Sequence, residues 1–212
     1  MLDFPLSDEQ AMGRVQSADD HLAFAHLVGK WEKPIRDLCT RMIGDIHRGA
    51  DLKQETFSRL YAKRREYKPT GKFSSYLWRM ALNVCYDELR RGRRHPAAPW
   101  PSETGGEAGR DLAADQTTPR EQAAQAEEGR LVRDAIQALP EIYREVIILR
   151  HYENLKLREI AEVLNVPPGT VNSRMAEALD RLSQRLGPHF HTKNQTTPPS
   201  SHATGAPELS LL

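Results

Sequence analysis

The 212 residues carry 30 Lys or Arg against 29 Asp or Glu, a net charge of +1, and 39% of them are hydrophobic, enough to bury the core of one large domain or two small ones. Cys39 and Cys85 are the two cysteines, with no CxxC pair and no Cys/His cluster at zinc spacing, so neither a disulfide framework nor a metal site is expected. The longest aliphatic run, Val146, Ile147, Ile148 and Leu149, falls far short of the ~20 residues of a membrane span, and "MLDFPLSDEQ" lacks the basic start of a signal peptide. A cytoplasmic protein without membrane insertion, and without a cofactor, is the expectation.

The near-neutral total hides segments of opposite sign. Residues 59–94 hold 11 Lys or Arg against three acids, net +8, whereas residues 102–128 hold two Arg against seven acids, net −5. Such polarisation points to a polyanionic partner more than the whole-chain charge does.

In chain order, helix follows helix from Asp19 to about Arg91, with Phe24, Leu27, Val28, Trp31, Ile35, Leu38, Met42, Ile43 and Ile46 at threes and fours. Pro34 is placed to open a second helix or kink the first, and "HRGAD" (47–51) reads as a break before a helix from about Ala50 to Tyr67. "KPTGK" (68–72) is a loop before a helix over 73–91. Pro, Gly and Ala fill 12 of the 25 positions from 95 to 119, the composition of a linker. Helical spacing returns at Leu131, Ala135, Ile136 and Leu139 and continues past Pro140. The tail from Gly187, with "TTPPSS", reads as disordered. The expected fold is all-α: a helical domain over 1–94, a flexible acidic linker over 95–128, a second helical domain over 129–186 and a disordered tail over 187–212.

The stretch "LREIAEVLNVPPGTVNSR" (157–174) is two half-helices, each too short to persist alone, which must pack on each other. Asn165 tolerates the left-handed turn between them, Pro168 suits a first helical turn, and small Ala161 permits a close crossing. The pattern is that of a helix-turn-helix, whose second helix would offer Thr170, Asn172, Ser173 and Arg174 to base edges and phosphates. An ordinary helical hairpin with a polar outside has the same spacing.

The basic block "KFSSYLWRMALNVCYDELRRGRR" (72–94) interleaves Phe73, Tyr76, Trp78 and Tyr86 with Arg79, Arg90, Arg91, Arg93 and Arg94, a mixture suited to opened nucleic acid. A helix buries one stripe, so some of these aromatics belong to the core. Upstream, "GADLKQETFSRLY" (49–61) gathers Asp51, Gln54 and Glu55 on one helix, with Phe57 and Leu60 on its packing side. On its own that is a solvated face.

The order of "ADLKQETF", "YLWRMALNVCYDELRR" and "LPEIYREVIILRHYENLKLREIAEVLNVPPGTVNSR" resembles the extracytoplasmic-function group of bacterial sigma factors, the initiation subunits of RNA polymerase, over residues 19–186. The resemblance implies a transcription initiation factor, not an enzyme, that binds core RNA polymerase and promoter DNA and is a candidate for an anti-sigma partner. It implies that Asp51, Gln54, Glu55 and Phe57 dock on the coiled coil of the largest polymerase subunit. It further implies that Lys68, Lys72, Trp78, Arg79, Asn83, Arg90, Arg91, Arg93 and Arg94 recognise and open the minus-ten element, and that Thr170, Asn172, Ser173 and Arg174 read the minus-thirty-five element. The acidic linker would thread toward the RNA path.

One departure stands out: after "GTVNSR" the chain continues "MAEALDRL", with Glu177 where the family commonly carries a DNA-facing Arg, Asp180 a turn later, and Asn172 where a basic residue is frequent. An enzyme is disfavoured because no phosphate-binding Gly-rich loop, GxSxG or HExxH occurs, and "HFH" (189–191) sits beside the tail. A dimeric operator-binding regulator would use the same helix-turn-helix but would leave "ADLKQETF" and the basic helix unemployed.

Overall fold

The computed structural model describes residues 6–69, 71–94 and 118–191, and among them the chain forms eight α-helices and no strand. Helix α1 (Asp8–Ala18) was not anticipated. It starts with a capping box, in which the Gln10 amide donates to Ser7 Oγ at 3.2 Å and the Ser7 amide to Gln10 Oε1 at 3.0 Å. Asp19, in the left-handed region at φ 54°, turns the chain, and the Asp20 carboxylate accepts from the Leu22 and Ala23 amides to open α2 (His21–Ile43).

Pro34 neither starts nor ends a helix; α2 runs through it as one element. The break comes at Gly44, φ 87°, whose amide closes α2 on the Thr40 carbonyl, and Asp45 then caps α3 (Ile46–Ala62). "HRGAD" therefore lies inside α3 rather than between helices. Gly49 is there for proximity: a Cβ would stand 2.8 Å from Thr40 Cα and backbone N, so α2 and α3 cross with no room for a side chain. A 3-10 turn (Arg64–Glu66) ends the helix expected to reach Tyr67, and α4 (Phe73–Arg94) runs three residues beyond its expected end. Leu27, Ile35, Leu38, Met42, Leu60, Phe73, Leu77 and Leu82 fill the space between α2, α3 and α4.

Helix α5 (Pro119–Gln137) begins inside the segment expected to be linker, because residues 119–128, rich in Ala, Glu and Gln, are good helix formers that outweigh the acidic charge. Residues 95–117 lie outside the described chain. After Pro140 come α6 (Glu141–Ile147), a π-turn (Ile148–Tyr152), α7 (Leu157–Leu164) and α8 (Pro168–His191). Helix α8 continues through Pro188 to His191, past the expected start of the tail at 187; residues 192–212 lie outside the described chain.

The two halves are in contact. Val146, Ile148, Leu149, Ile160, Val163 and Val171 belong to the same buried cluster as the α2 and α4 side chains, while Ile136, Leu139, Ile147 and Ala178 make a smaller core within the C-terminal half. Polar groups reinforce the contact. Arg144, almost fully buried, donates to the Met42 carbonyl at the end of α2 and to the Gln137 and Leu139 carbonyls before α6. Gln137 Nε2 donates to the Arg41 carbonyl, and Arg41 itself lies over the Tyr152 ring, 4.3 Å from its centroid, and 3.5 Å from Glu153. Burial pushes the Glu153 carboxyl up to about 7, more than the nearby Arg41 can offset, with Asp37 adding to the rise and Lys33 opposing it.

Gly49→Ala should lower stability by about 1–3 kcal/mol, because its Cβ meets backbone atoms of α2 and must push the helices apart; thermal unfolding reads this, and an unchanged midpoint would mean the crossing is looser than described. For Glu153, the folded-state value near 7 lies above the ordinary 4.5, so its contribution is full below about pH 4.5 and is lost as pH rises through about 7. Glu153→Gln should therefore gain stability relative to wild type as pH is raised over that window, and parallel melting curves for the two proteins would refute the assignment.

Candidate nucleic-acid interface

Helix α4 divides its residues by face. Phe73, Leu77, Trp78, Ala81, Leu82, Val84 and Cys85 point into the core. Trp78, expected to meet DNA, is 4% exposed and stands edge-on to Trp31 with ring centroids 5.6 Å apart. The expectation fails because the apolar stripe of α4 must cover α2, and Trp78 sits at its centre. Phe73 is sealed against Trp31 and Tyr67, and Tyr76 is half-buried against Tyr67. The outer side of α4 is thus cationic rather than aromatic.

Arg79, Asn83, Arg90, Arg91, Arg93 and Arg94 are exposed. Arg79, Asn83, Arg90 and Arg94 follow one another at helical spacing, with half-buried Tyr86 and Asp87 between, and so share one side of α4. Arg90 and Arg91 pair with Asp87 and Glu88 a turn earlier, at 3.7 and 2.9 Å, exposed contacts that cost little to exchange for phosphates. Lys68 and Lys72 flank the loop ahead of α4, both exposed.

On α3, Asp51, Gln54 and Glu55 are exposed, Asp51 by 65% of its side chain. Phe57 is 7% exposed and faces the core, so it supports that surface from beneath instead of presenting itself to a partner. Two arginines tie the acidic face to α4: Arg48 lies between Asp51 (3.3 Å) and Glu88 (2.7 Å), and Arg59 between Glu55 (2.7 Å) and Asp87 (2.8 Å). The hydrogen bond from Arg48 holds the Glu88 carboxyl below its ordinary range, and the hydrogen bonds that Arg59 donates to Asp87 and Glu55 hold its guanidinium above its own.

The helix-turn-helix is built as its sequence implies. Asn165 adopts the left-handed region at φ 53°, the Val166 amide returns to the Ala161 carbonyl at 3.1 Å, and Pro168 opens α8. Asn172 and Ser173 are exposed, Thr170 is half-buried, and Ser173 Oγ donates to the Thr170 carbonyl at 3.0 Å. Arg174 departs from expectation: it turns inward to Glu145 at 2.9 Å, with 23% of its side chain exposed. Glu177 is engaged by Arg181 at 2.7 Å and Asp180 accepts from Gln184, so both departures from the family pattern are satisfied within α8.

Glu145 is the residue that periodicity did not single out. It is 1% exposed, accepts from both Arg174 and the Tyr86 hydroxyl, and is raised to about 7 because burial outweighs the attraction of Arg174. Its only sequence signal is a carboxylate set directly before the apolar run Val146–Leu149. Among the described residues no group of three or more His, Cys, Asp or Glu is arranged to hold a metal ion, and no helix is long and apolar enough to cross a membrane.

Residues 27–95 match the Sigma-70 region 2 family and residues 129–182 the Sigma-70 region 4 family. The chain is 33% identical to the ECF RNA polymerase sigma factor SigW of Bacillus subtilis, over 79% of this chain and 90% of that protein. It is likewise 33% identical to the RNA polymerase sigma-H factor of Pseudomonas aeruginosa, over 85% and 94%. Two solved structures share its fold: CnrH in complex with the cytosolic domain of CnrY (TM-score 0.62, 22% identity, covering 85% of this chain and 97% of that one), and the sigma factor RpoE of Bartonella quintana in complex with the anti-sigma factor NepR (TM-score 0.60, 19% identity, covering 77% and 96%). With an α3–α4 basic and acidic module, a helix-turn-helix module and relatives matched along most of their length, the chain belongs to the extracytoplasmic-function sigma factors of bacterial RNA polymerase.

Proposed function

We propose that the labour of promoter-directed initiation is divided among the surfaces described above. The acidic face of α3, Asp51, Gln54 and Glu55, binds core RNA polymerase. The exposed stripe of α4, with Lys68, Lys72, Arg79, Asn83, Arg90, Arg91, Arg93 and Arg94, recognises and opens the minus-ten element. Thr170, Asn172, Ser173 and Arg174 of α8 meet the minus-thirty-five element, Arg174 after leaving Glu145. The protein acts in the cytoplasm as a binding factor and performs no catalysis of its own.

The observation that carries this reading is the two-sidedness of α4: a sealed apolar face gives a rigid support, and the opposite side carries Arg79, Asn83, Arg90 and Arg94 at helical spacing. Arginines along one helix supply backbone contacts without sequence preference, while the asparagine amide supplies both a donor and an acceptor for an extruded base. The acidic face lies on the neighbouring helix, held to α4 by Arg48 and Arg59, so polymerase binding and DNA binding bear on one rigid unit. An acidic segment between the two modules is repelled by DNA and attracted to a positive polymerase channel. An anti-sigma partner belongs to the same reading.

Replacing Asp51 and Glu55 together by Arg should weaken core-polymerase binding by more than about tenfold, through like-charge contact at the docking surface, and leave the circular-dichroism spectrum unchanged. Retained affinity would remove α3 from the polymerase interface. Asn83→Ala should slow promoter opening by about tenfold while sparing closed-complex formation, and a pre-melted template should rescue it. Equal losses in both steps would assign Asn83 to duplex binding instead.

A further inference from the structure

Helix α1 lies ahead of residues 27–95, which match region 2, and none of the roles given above falls to it. Two of its polar side chains reach the two ends of the loop that carries Lys68 and Lys72. Gln16 Nε2 donates to the Tyr67 carbonyl at 2.7 Å and to the Arg65 carbonyl at 3.2 Å, where the 3-10 turn ends. Glu9 Oε1 accepts at 3.0 Å from the amide of Phe73, the first residue of α4. Seven residues are close to two helical turns, so Glu9 and Gln16 stand on one side of α1, about 10 Å apart along its axis. Met12 lies between them and is sealed into the same core as Tyr67 and Phe73.

Each contact answers a need that the loop does not meet by itself. The first amides of a helix lack intrahelical partners, and Lys72, directly before α4, has no side-chain acceptor to offer. A carboxylate from another helix takes the place of the N-cap, at the positive end of the helix dipole, and the hydrogen bond from Phe73 holds the Glu9 carboxyl below its ordinary range. The Gln16 amide group gathers two carbonyls that the short turn leaves at its end. Helix α1 is itself anchored: the Asp8 carboxylate accepts from Lys30 Nζ at 2.7 Å and from Trp31 Nε1 at 3.1 Å, and Trp31 stands edge-on to both Phe73 and Trp78. Tyr67 is buried against Phe73 and Tyr76, with ring centroids 6.1 and 5.2 Å apart, whereas Lys68 and Lys72 are exposed.

We propose that Glu9 and Gln16 are positioning residues for promoter opening: by fixing the backbone on either side of residues 68–72, they set Lys68 and Lys72 in place before the opened minus-ten strand arrives. Both act through the loop and need no contact with DNA. A loop ordered in advance does not lose its conformational entropy at the moment of binding, so the brace favours capture of single-stranded DNA and leaves docking on polymerase unaffected. The inference rests on the promoter reading given above.

The test uses holoenzyme assembled from core RNA polymerase and the full chain. The probe is a fork duplex whose single-stranded minus-ten stretch has been selected from a randomised pool by the wild-type holoenzyme. Glu9→Ala with Gln16→Met should weaken binding of that probe by about tenfold, although loss of a carboxylate favours DNA electrostatically, and should keep core-polymerase affinity within about twofold of wild type. In the free chain, hydrogen exchange should quicken at the amides of Lys68, Gly71, Lys72 and Phe73 and stay unchanged over residues 77–86. Glu9→Gln, whose amide oxygen still accepts from Phe73, should bind the probe as wild type does. In a chain that also carries Lys68→Ala and Lys72→Ala, the two α1 substitutions should cost less than about twofold further, because no loop cation is left to position. A tenfold loss persisting in that background, equal losses of probe and polymerase binding, or unchanged probe affinity would each overturn the positioning role. Should the double variant fail to fold, Glu9→Ala alone, at an exposed residue, carries the same test with an expected loss of about threefold. Wild-type probe affinity in the chain with Lys68→Ala and Lys72→Ala alone would instead overturn the promoter reading of the loop.

Discussion

Helix α4 has to satisfy three neighbours around one cylinder, and the arrangement of the other helices follows from how it does so. Its apolar stripe, centred on Leu77, Trp78 and Leu82, is consumed by α2 and α3. That leaves one polar side, on which Asn83, Arg90 and Arg94 stand in solvent while Arg79, Tyr86 and Arg93 reach α6 and α7. Since a helix presents only about 100° of arc to any one neighbour, a residue changes partner if the helix turns by a single position. The tight crossing of α2 and α3 at Gly49 and the edge contact of Trp31 on Trp78 are what hold that rotation fixed.

Electrostatics divides along the same line. At the surface, Arg48 and Arg59 bridge α3 and α4 in contacts that water still reaches, so they contribute orientation more than stability. Between the modules, Arg144 and Glu145 are neighbours in sequence and both are buried, yet they serve different partners: Arg144 gathers three backbone carbonyls, and Glu145 takes Arg174 and Tyr86. Buried ionisable groups of this kind seldom add much net stability, because desolvation offsets their attraction, but they discriminate sharply between one docking geometry and another. The apolar contacts of Val146, Ile148 and Leu149 hold the modules together; the polar ones determine the register.

Local chemistry made the helix-turn-helix legible in the sequence, since Asn165, Pro168 and Ala161 each answer to a backbone demand within a few residues. The all-helical architecture was equally open to periodicity. What escaped depends on residues distant in the chain. Trp78 reads as a stacking ring until Trp31, 47 positions earlier, is known to lie beneath it. Gly49 reads as a helix breaker because its reason, the backbone at Thr40, is on another helix. Helix α1 was overlooked because it is short and its buried side is limited to Ala11, Met12 and Val15, although the Ser7 and Gln10 pair was a usable signal. Arg174 looked free for DNA because the carboxylate that claims it is 29 residues upstream. Arg93 and Lys72 likewise meet Glu141 and Glu159, 48 and 87 residues away, beyond any local pattern.

The two modules are parts of one polypeptide, with Arg94 ending α4 and Pro119 beginning α5. Their encounter is therefore first order: diluting the protein does not separate them, as it would a pair of subunits, because the chain fixes their effective concentration. Contacts too weak to hold independent proteins together suffice here, and each can be individually exchangeable. The equilibrium between touching and parted modules is accordingly a property of the single chain, unchanged by how much of the protein is present.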